Sequence, residues 1–443
     1  MQFRLPHPLV LLLGGVAVAA LLTWVIPAGS YDRRTDEASG RQVVVGGTYH
    51  SVPAKPVGPL MAVMSVPRGV VAGADVILVV LFVGGAFALL DATGALGRLV
   101  GALVGRSTRP RVIVVLVSLV FATLGALENM QEEIIALIPT LLVLSRRLGF
   151  GAMTALAMSV GAAGVGSAFG PTNPFQTGIA LRFAEMPAMS QPALRFALLG
   201  AATAVWIVWT LLMIAKDDIR SDEVESRASL PARATARDGL LLAIALLPFI
   251  PYVIGVMRFD WGFNELSALF LVSGFAIGLV AGLGMSGTAS AFLKGMEGML
   301  AAALFVGVAR AISVVLTDGL VIDSIVHGLA TPLAHTSGAI ASLLMIPVHA
   351  LIHVPVPSVS GHAVLTMPIM APLSDLLGIS RDSAVIAYQT GAGLMDIITP
   401  TNGALLAMML AAKVSYGRWL RFAVPGALLV AVVGAAGVLL ANR

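Results

Sequence analysis

The chain contains no cysteine among its 443 residues. That absence excludes disulfide bonds, thiolate nucleophiles and cysteine-ligated metal sites. Charged residues make up only 11% of the sequence, whereas soluble domains contain about 25%. So few charges could not cover a surface in water. The composition therefore excludes an ordinary soluble domain.

Several enzyme signatures are missing as well. No glycine-rich phosphate-binding loop is present, and the polar loops are too short to hold an ATPase domain. His349 and His353 have the spacing of a zinc pair, but Ala350 stands where a metalloprotease needs glutamate. No nucleophile–base pair is visible. We therefore expect no enzyme, and energy for any transport would come from an ion or solute gradient.

Long apolar runs dominate what is present. Hydrophobic residues form 58% of the chain, and the mean hydropathy is +0.95. Runs of about 20 apolar residues predict transmembrane helices. The chain thus reads as an all-α polytopic membrane protein with about nine spans. These are residues 8–27, 73–91, 150–187, 190–215, 239–256, 264–286, 297–316, 383–412 and 418–441.

One motif occurs twice. Pro171-Thr172-Asn173 recurs as Pro400-Thr401-Asn402, and residues 133–173 align with 362–402 without a gap, with 11 of 41 residues identical. Each copy lies near the middle of an apolar segment too long for one straight crossing, 150–187 or 383–412. Both segments therefore predict broken helices. Interrupted segments at matching positions of two halves indicate a transporter's binding site.

Two further apolar stretches are too long for a single helix. Residues 112–147 and 337–377 each have a centre that is polar or rich in proline and glycine. We predict that each forms a re-entrant helical hairpin whose tip reaches mid-membrane. Arg109, Arg111 and Arg146 flank the ends of the first hairpin. The positive-inside rule places both of those ends in the cytoplasm.

Charge also predicts the orientation and the division of the chain. The basic segment 216–238 reads as a cytoplasmic linker, which places the N-terminus in the cytoplasm and the protein in the cytoplasmic (inner) membrane. Residues 1–215 would form the first inverted repeat and 264–443 the second. Between them, 216–263 would supply the linker and one extra span, 239–256, that inverts the second half.

The predicted breaks supply the first candidate binding groups. Each break exposes the N-terminus of a half-helix, which favours anionic groups. Asn173 followed by Pro174, and Asn402, suit helix capping, and Ser358 or Ser360 could cap the second arm of the second hairpin. Freed backbone carbonyls near Asn173 and Asn402 make Na⁺ a candidate ligand. The neighbouring candidates in the same motifs are Thr172, Gly361 and Thr401.

Ionisable residues at membrane depth are costly and usually functional. The first hairpin tip contributes Glu128, Asn129, Glu132 and Glu133. Glu133 could instead stabilise a helix N-terminus, whereas Glu132 could bind a proton, a cation or a substrate amine. Asp396 occupies the position that matches Ser167 in the first half, and we predict a site role for it.

Arg310 lies well inside the segment 297–316, and two interpretations stay open. It could form an ion pair with a hairpin glutamate or Asp396, or it could hold a substrate carboxylate. His353 and His362 bracket the second hairpin tip, where proton coupling or a lining role is an alternative to simple packing.

Several motifs together resemble the YfcC family. They are Gln131-Glu132-Glu133, Asn173-Pro174-Phe175, Ser358-Val359-Ser360-Gly361, residues 365–373 with 375–378, Pro400-Thr401, and residues 308–312 around Arg310. That family is similar to the anaerobic four-carbon-dicarboxylate carriers and belongs to the ion transporter superfamily. Its relatives include the AbgT-type and divalent-anion/Na⁺ symporters. The resemblance implies an elevator-type transporter of two inverted repeats, usually a homodimer. Its hairpins and broken helices would move against a scaffold of the remaining spans.

We therefore expect a secondary active transporter for a small carboxylate-bearing metabolite, a dicarboxylate or an amino acid, coupled to Na⁺ or H⁺. A basic amino-acid exchanger of the arginine/ornithine type is the alternative. An ion channel is less favoured, because closed hairpins and broken helices leave no continuous pore. The expected partners are the substrate and the lipid bilayer, with no cofactor and no nucleic acid.

Overall fold

Apolar helices form nearly all of the structure, a computed structural model that describes residues 8–35, 42–95, 98, 109–187, 190–214, 234–259 and 261–442. Within these ranges, six helices are long and apolar enough to cross a membrane, or seven if one bent helix is included. The predicted number of about nine spans remains a prediction. Most of the predicted linker, from residue 215 to 233, lies outside the described residues.

Within the described residues, the first half contains eight helices and four short strands. The strands are β1 (Gly29–Ser30), β2 (Arg33–Thr35), β3 (Gln42–Val44) and β4 (His50–Ser51), paired antiparallel as β1–β4 and β2–β3. The helices are α1 (Pro8–Val25), α2 (Pro59–Ala72), α3 (Ala74–Ala92), α4 (Pro110–Glu128), α5 (Glu132–Arg147), α6 (Ala152–Leu156, the π-helical Ala157–Gly161, and Ala162–Phe169), α7 (the π-helical Pro174–Gly178 and Ile179–Phe183) and α8 (Pro192–Ile214).

The second half repeats this order after two connecting helices, α9 (Ala236–Leu246) and α10 (Phe249–Phe259). Its helices are α11 (Phe263–Val280), α12 (Gly284–Asp318), α13 (Ile322–Ala330), α14 (Gly338–His353), α15 (Val359–Leu376), α16 (Arg381–Tyr388, the π-helical Gln389–Gly393, and Leu394–Asp396), α17 (Gly403–Ala411) and α18 (Tyr416–Ala441). A 3₁₀ turn, Thr331–His335, follows α13.

Both halves thus contain a helix, a long bent pair or bent helix, a helical hairpin, a broken helix and a final helix. The hairpins are α4–α5 and α14–α15, and the broken helices are α6–α7 and α16–α17. Their bounds lie within a few residues of the predicted 112–147, 337–377, 150–187 and 383–412. This order is what an inverted repeat requires, although the division into domains remains a prediction.

The loops and helix ends contact one another in two separate groups. On one side, Arg98 forms an ion pair with Asp238, and Arg237 Nη2 donates to the carbonyl oxygen of Val280 at 2.8 Å. Arg98, Arg237 and Asp238 lie in segments predicted to be cytoplasmic, and Val280 lies near the predicted cytoplasmic end of the span 264–286. The guanidinium of Arg98, together with hydrogen bonds from Thr235, holds the pKa of Asp238 well below its usual range.

On the opposite side, loops predicted to be outside the cell meet one another. Ser190 Oγ donates to Asp382 Oδ2 at 2.6 Å, and Ser380 Oγ donates to the carbonyl oxygen of Ala441 at 2.7 Å. The N–H of Gly29 donates to the carbonyl oxygen of Leu320 at 3.0 Å. The predicted alternation of spans places the two members of each pair on the same side of the membrane, and that alternation remains a prediction.

The segment between α1 and α2 forms a short strap that packs against α13. Asp323 anchors it, because its carboxylate accepts the N–H of Tyr31 and two hydrogen bonds from Arg33. Burial and the nearby Asp323 charge raise the pKa of Tyr31 to about 12. At the far end of the strap, a Cβ atom at Gly46 would lie 2.6 Å from the carbonyl oxygen of Pro368 in α15.

Two long helical units form one body of the protein. The α2–α3 pair and α12 pack along each other, with α1 and α11 beside them. The packing is close: a Cβ atom at Gly69 would lie 2.5 Å from the carbonyl oxygen of Gly307. The helix α2 lies within residues 28–72, where the sequence pattern predicts no span. Pro59, Pro67 and Gly69 interrupt its apolar run and hide it from a hydropathy pattern.

Two other predictions of single elements were also wrong in detail. The extra span 239–256 is two helices, α9 and α10, separated at residues 247–248. The predicted spans 264–286 and 297–316 do not match α11 and α12, because α11 ends at Val280 and α12 already begins at Gly284. Gly282 and Gly284 have φ of +82° and +66°, and these positive values produce the turn between α11 and α12.

The helices α8 and α18 pack against the broken helices instead of the α2–α3–α12 body. Trp206 Nε1 of α8 donates to the carbonyl oxygen of Ala157 at 2.9 Å. Trp419 Nε1 of α18 donates to the carbonyl oxygen of Ile397 at 2.8 Å. In both cases a buried indole satisfies a backbone carbonyl of a broken helix. The resemblance implied that these two helices belong to the scaffold, and their packing does not agree with that.

Candidate functional site

The first break, residues 170–173 between α6 and α7, is organised by one asparagine. The side-chain oxygen of Asn173 accepts the N–H groups of Phe175 and Gln176, both at 3.0 Å. Its Nδ2 donates to the carbonyl oxygens of Gly125 at 3.2 Å and Ser167 at 3.5 Å. Asn173 is therefore the predicted N-cap, with Pro174 as the first helical residue. The side chain of Pro174 lies outside the described residues.

The second break, residues 397–402 between α16 and α17, repeats this arrangement. The side-chain oxygen of Asn402 accepts the N–H of Leu405 at 3.1 Å. Its Nδ2 lies 3.0 Å from the carbonyl oxygen of Asp396 and 2.9 Å from Asp396 Oδ1. Thr401 Oγ1 donates to the carbonyl oxygen of Val354, in the second hairpin, at 2.6 Å. Both asparagines use their oxygens as caps, so a Na⁺ ion here would need other oxygens, and that ion remains a prediction.

The first tip, residues 129–131 between α4 and α5, contacts both breaks. Asn129 adopts the left-handed conformation, with φ of 60°, and its side-chain oxygen accepts from Ser167 Oγ. Gln131 Nε2 donates to Asp396 Oδ2, and Asn402 Nδ2 lies 3.3 Å from Gln131 Oε1. One hairpin tip thus joins the two halves of the chain at their breaks.

The glutamates beside this tip differ in their roles. Glu133 is buried, and its Oε2 accepts the N–H of Gln131 at 3.1 Å, which is the helix-stabilising role considered for it. Glu132 is partly exposed and lies close enough to Asp396 and Arg310 for their charges to interact. The third glutamate, Glu128, ends α4, and its side chain lies outside the described residues. Glu132 is therefore the tip carboxylate that is best placed to meet a ligand.

A small cavity separates this tip from the second break. Its volume is about 10 Å³, and Gln131, Ile134, Asp396 and Asn402 are among the residues that line it. A space of this size holds about one water molecule. A metabolite could therefore bind between these groups only after the tip moves away from the break.

Arg310 lies on α12 beside the start of α17. One turn before it, Phe305 and Val306 cover Gly403, whose Cβ would lie 2.7 Å from the Phe305 carbonyl oxygen. The stem of Arg310 packs near Gly73, where α2 meets α3. In the part of the chain that the structure describes, Arg310 has no ion pair within 4.0 Å, so the pairings considered with Asp396 and a hairpin glutamate are not formed.

The second tip, residues 354–358 between α14 and α15, is capped by Ser358. Its Oγ accepts the N–H of Gly361 at 3.3 Å, so Ser358 and not Ser360 is the cap. Gly361 is exposed and Ser360 is partly exposed. Of the remaining motif residues, Thr172 makes one long hydrogen bond, 3.4 Å from its Oγ1 to the carbonyl oxygen of Ala126.

Sequence reasoning missed a polar connection beneath the breaks. Arg195 of α8 is 2% exposed; its Nη2 donates to Asp382 Oδ1 at 2.8 Å and its Nη1 to Gln389 Oε1 at 2.6 Å. Gln389 Nε2 in turn donates to Thr177 Oγ1 at 2.7 Å. The available signal for Arg195 and Gln389 was a polar residue inside an apolar span. No neighbouring residue in the sequence, however, indicated which residues they would contact.

Three histidines of the second half are completely buried. His349 Nδ1 lies 2.9 Å from His362 Nε2, and His353 Nδ1 lies 3.4 Å from His362 Nδ1. His353 Nε2 lies 3.1 Å from Asp396 Oδ1. His353 and His362 were singled out because they bracket the tip; the role of His349 and the link to Asp396 were not foreseen. No group of three or more metal-binding side chains suited to a metal ion occurs among the described residues.

The sequence of this chain matches a known family. The family model described as "C4-dicarboxylate anaerobic carrier", DcuC, matches residues 5–442. The chain belongs to the DcuC family. It is therefore a multi-pass membrane transporter and not an enzyme.

Two curated relatives of this DcuC-family chain match over nearly their whole length. One, from Escherichia coli (strain K12), is named "Putative basic amino acid antiporter YfcC"; it is 28% identical over 95% of this chain and 93% of its own. The other is an uncharacterised protein of Haemophilus influenzae, 26% identical over 96% of this chain and 94% of its own. The resemblance to the YfcC family is confirmed.

Two solved structures also align with the DcuC-family chain. Neisseria gonorrhoeae MtrF, described as one of a class of antimetabolite efflux pumps, aligns with a TM-score of 0.47 and 14% identity, over 98% of this chain and 94% of its own. The Alcanivorax borkumensis YdaH transporter, described as having an unusual topology, gives 0.47 and 18% identity, over 98% of both chains.

Proposed function

We propose that the protein is a secondary active transporter that moves a small carboxylate-bearing metabolite across the cytoplasmic membrane, coupled to Na⁺ or H⁺. The observation that carries the proposal is the convergence of Arg310, Glu132 and Asp396 on the two breaks and the first tip. Charged groups at this depth are costly unless they are paired or bind a ligand. Arg310 has no ion pair among the described residues, so a substrate carboxylate would supply its missing partner.

The packing supports an elevator movement. The moving body would contain both hairpins, both broken helices, α8 and α18, because hydrogen bonds such as Gln131–Asp396 and Trp206–Ala157 join them. The scaffold would contain α1–α3, α11 and α12. The contact between α12 and α17 is mainly apolar, around Gly403 and Phe305. Ser313 Oγ to the carbonyl oxygen of Pro355, at 3.3 Å, is a long hydrogen bond that crosses this boundary.

The orientation with a cytoplasmic N-terminus is part of the proposal, and so is the homodimer. The loop contacts support the relative sidedness of the spans, and the basic loops supply its direction. Labelling of single cysteines introduced at exposed positions of α9 and the strap tests the orientation, because the natural chain has no cysteine. Mass measurement of the protein in nanodiscs tests the dimer.

The deciding experiment combines stabilisation with uptake. Purified protein would be heated with succinate, malate, arginine, ornithine or lysine, in Na⁺ buffer and in Na⁺-free buffer. A ligand at 100 times its Kd adds about 2.7 kcal/mol to stability, a readable shift. The same solutes would then be tested for saturable uptake and counterflow in proteoliposomes. The proposal would be refuted if none of these five solutes stabilised the protein and none were taken up. Uptake that does not saturate would favour a channel.

A basic amino-acid exchanger is the second candidate. The acidic groups at the site, Glu132, Glu133 and Asp396, outnumber the single basic group, Arg310. An amine at one end and a carboxylate at the other would match both charges. Glu132→Gln separates the candidates: it should weaken binding of arginine and ornithine strongly, while a dicarboxylate should bind as well as before or better.

A further inference from the structure

The three buried histidines and Asp396 form one continuous line across the second half of the protein. The order is His349, His362, His353 and Asp396, with nitrogen–nitrogen contacts of 2.9 Å and 3.4 Å and a final nitrogen–oxygen contact of 3.1 Å. All three imidazoles are 0% exposed. We call these four residues the histidine string.

The protons of this string can be counted. Each of its three contacts needs one proton, and three neutral imidazoles carry three. With Asp396 ionised, His353 donates from Nε2 to Asp396, His362 donates from Nδ1 to His353, and His349 donates from Nδ1 to His362. This leaves His349 Nε2 as a bare nitrogen at the end of the string opposite Asp396. His349 Nε2 is in fact a buried side-chain atom without a hydrogen-bond partner.

An unpartnered buried nitrogen at the end of a complete line is a proton acceptor. A proton that binds His349 Nε2 releases the proton on His349 Nδ1 to His362 Nε2. His362 passes its Nδ1 proton to His353 Nδ1, and His353 passes its Nε2 proton to Asp396 Oδ1. One proton has entered, every contact still holds one proton, and Asp396 has become a neutral acid.

The surroundings contain few other charges. Tyr388 of α16 faces His349 and His362, with ring centroids 5.5 Å and 5.4 Å away, and its hydroxyl donates to the carbonyl oxygen of Val359. At the other end, Asp396 accepts from Gln131 and Asn402 and interacts electrostatically with Glu132. Thr366 is a further polar neighbour, and its Oγ1 donates to the carbonyl oxygen of His362 at 2.8 Å.

We propose that the histidine string binds the coupling proton of this transporter and sets the charge of Asp396 at the substrate site. This inference rests on the proposed transport function and names its coupling ion. In the ionised form, Asp396 attracts a cationic group beside the first tip. In the neutral form it admits an anion. A carboxylate would then travel together with one proton, or a substrate amine would exchange for one.

Proteoliposomes test the proposal with the substrates named above. Uptake of radiolabelled succinate and of arginine would be measured with a pH gradient, with a Na⁺ gradient and with neither. A pH gradient should change the uptake rate about ten-fold, within the usual range of coupling between two sites. His349→Gln and His353→Gln should abolish that response. His335→Gln is the matched control, because His335 is exposed and lies outside the string.

The proposal is overturned if His349→Gln and His353→Gln respond to the pH gradient like the natural protein, or if a Na⁺ gradient alone drives uptake. If the natural protein transports neither solute, the transport function fails, and a second measurement judges the string. Protein with ¹⁵N-labelled histidine would be titrated by NMR between about pH 5 and 9. The string is supported if the ¹⁵N shifts of the three imidazoles change together with pH, and if Asp396→Asn makes them change independently. Imidazoles that stay fixed, or that titrate independently of Asp396, contradict it.

Discussion

Asn173 and Asn402, 229 positions apart in the sequence, make the same pair of interactions at the two breaks. Each side-chain oxygen caps the helix that follows, and each Nδ2 points back to the carbonyl oxygen six residues earlier, that of Ser167 or Asp396. The duplicated motif thus produces a duplicated geometry. The two copies differ in one respect, since Ser167 is neutral and Asp396 can carry a charge.

Replacement of either asparagine should therefore impair both stability and transport. Asn173→Ala and Asn402→Ala each remove an N-cap, which costs about 1 kcal/mol, and each also releases the backbone carbonyl that defines its break. Thermal unfolding and uptake per folded molecule would be measured side by side. Thr235→Ala is the matched control, because Thr235 caps α9 far from the breaks. If uptake falls no further in the asparagine variants than in the control, the breaks do not form the site.

Arg310→Ala should abolish uptake of a carboxylate substrate while the protein remains folded and inserted. The guanidinium has no ion pair to lose among the described residues, so its removal leaves no buried carboxylate without a partner. Arg310→Lys should restore part of the activity, because a lysine keeps the charge but not the two-pronged geometry. Arg68→Ala is the control, since Arg68 forms an ion pair with Asp318 on the same face of the scaffold. Normal uptake by Arg310→Ala would refute its role as the carboxylate-binding group.

Arg195→Ala should strongly destabilise the protein. Both partners of the Arg195–Asp382 pair are at least 95% buried, and loss of one partner from a buried pair costs about 3–5 kcal/mol. Thermal unfolding in detergent measures the effect. The double variant Arg195→Met, Asp382→Leu should recover much of the loss, because it leaves no unpaired charge. Arg381→Ala, in an exposed pair with Asp375 and Glu185, should change stability by no more than about 1 kcal/mol. Equal effects at Arg195 and Arg381 would contradict this account.

The Arg98–Asp238 pair predicts a dependence of stability on acid. The pKa of Asp238 is lower in the folded protein than in the unfolded chain, because Arg98 and Thr235 stabilise its ionised form. Its contribution is therefore complete above the unfolded pKa of about 3.9 and is lost as the pH falls below that value toward the folded pKa. Asp238→Asn should be less stable than the natural protein at pH 7, and the difference should shrink as the pH falls below about 4. A difference that does not change with pH would exclude this explanation.

The sequence predicted the local features of the fold well, because their causes are local. The Pro-Thr-Asn motif combines a helix-breaking proline with a capping asparagine, so the breaks at Asn173 and Asn402 could be located. The hairpins followed from length and from their polar centres. By contrast, α2 was hidden because Pro59 and Pro67 interrupt its apolar run.

The rest of the site depends on contacts between distant parts of the chain. Gln131 meets Asp396 across 265 positions, and Arg195 meets Asp382 across 187. A contact between residues so far apart produces no recognisable pattern in the sequence of either segment. The sequence could indicate that these polar residues must be paired at membrane depth, but only the packing of the two halves identifies the partner.

The hydrogen bonds of Gln389 have a consequence for biogenesis. Gln389 Nε2 satisfies the hydroxyl of Thr177 and the carbonyl oxygen of Ala168, both in the first half of the chain. Until residue 389 is synthesised, these two acceptors lack the Gln389 donor, although Thr177 Oγ1 already donates to the carbonyl oxygen of Gly170 within the first half. A chain that stops before Gln389 would expose an unfinished polar seam inside the bilayer, the kind of defect that membrane proteases recognise. Truncated first halves of this protein should therefore be cleared from cells, and co-expression of the missing half should rescue them.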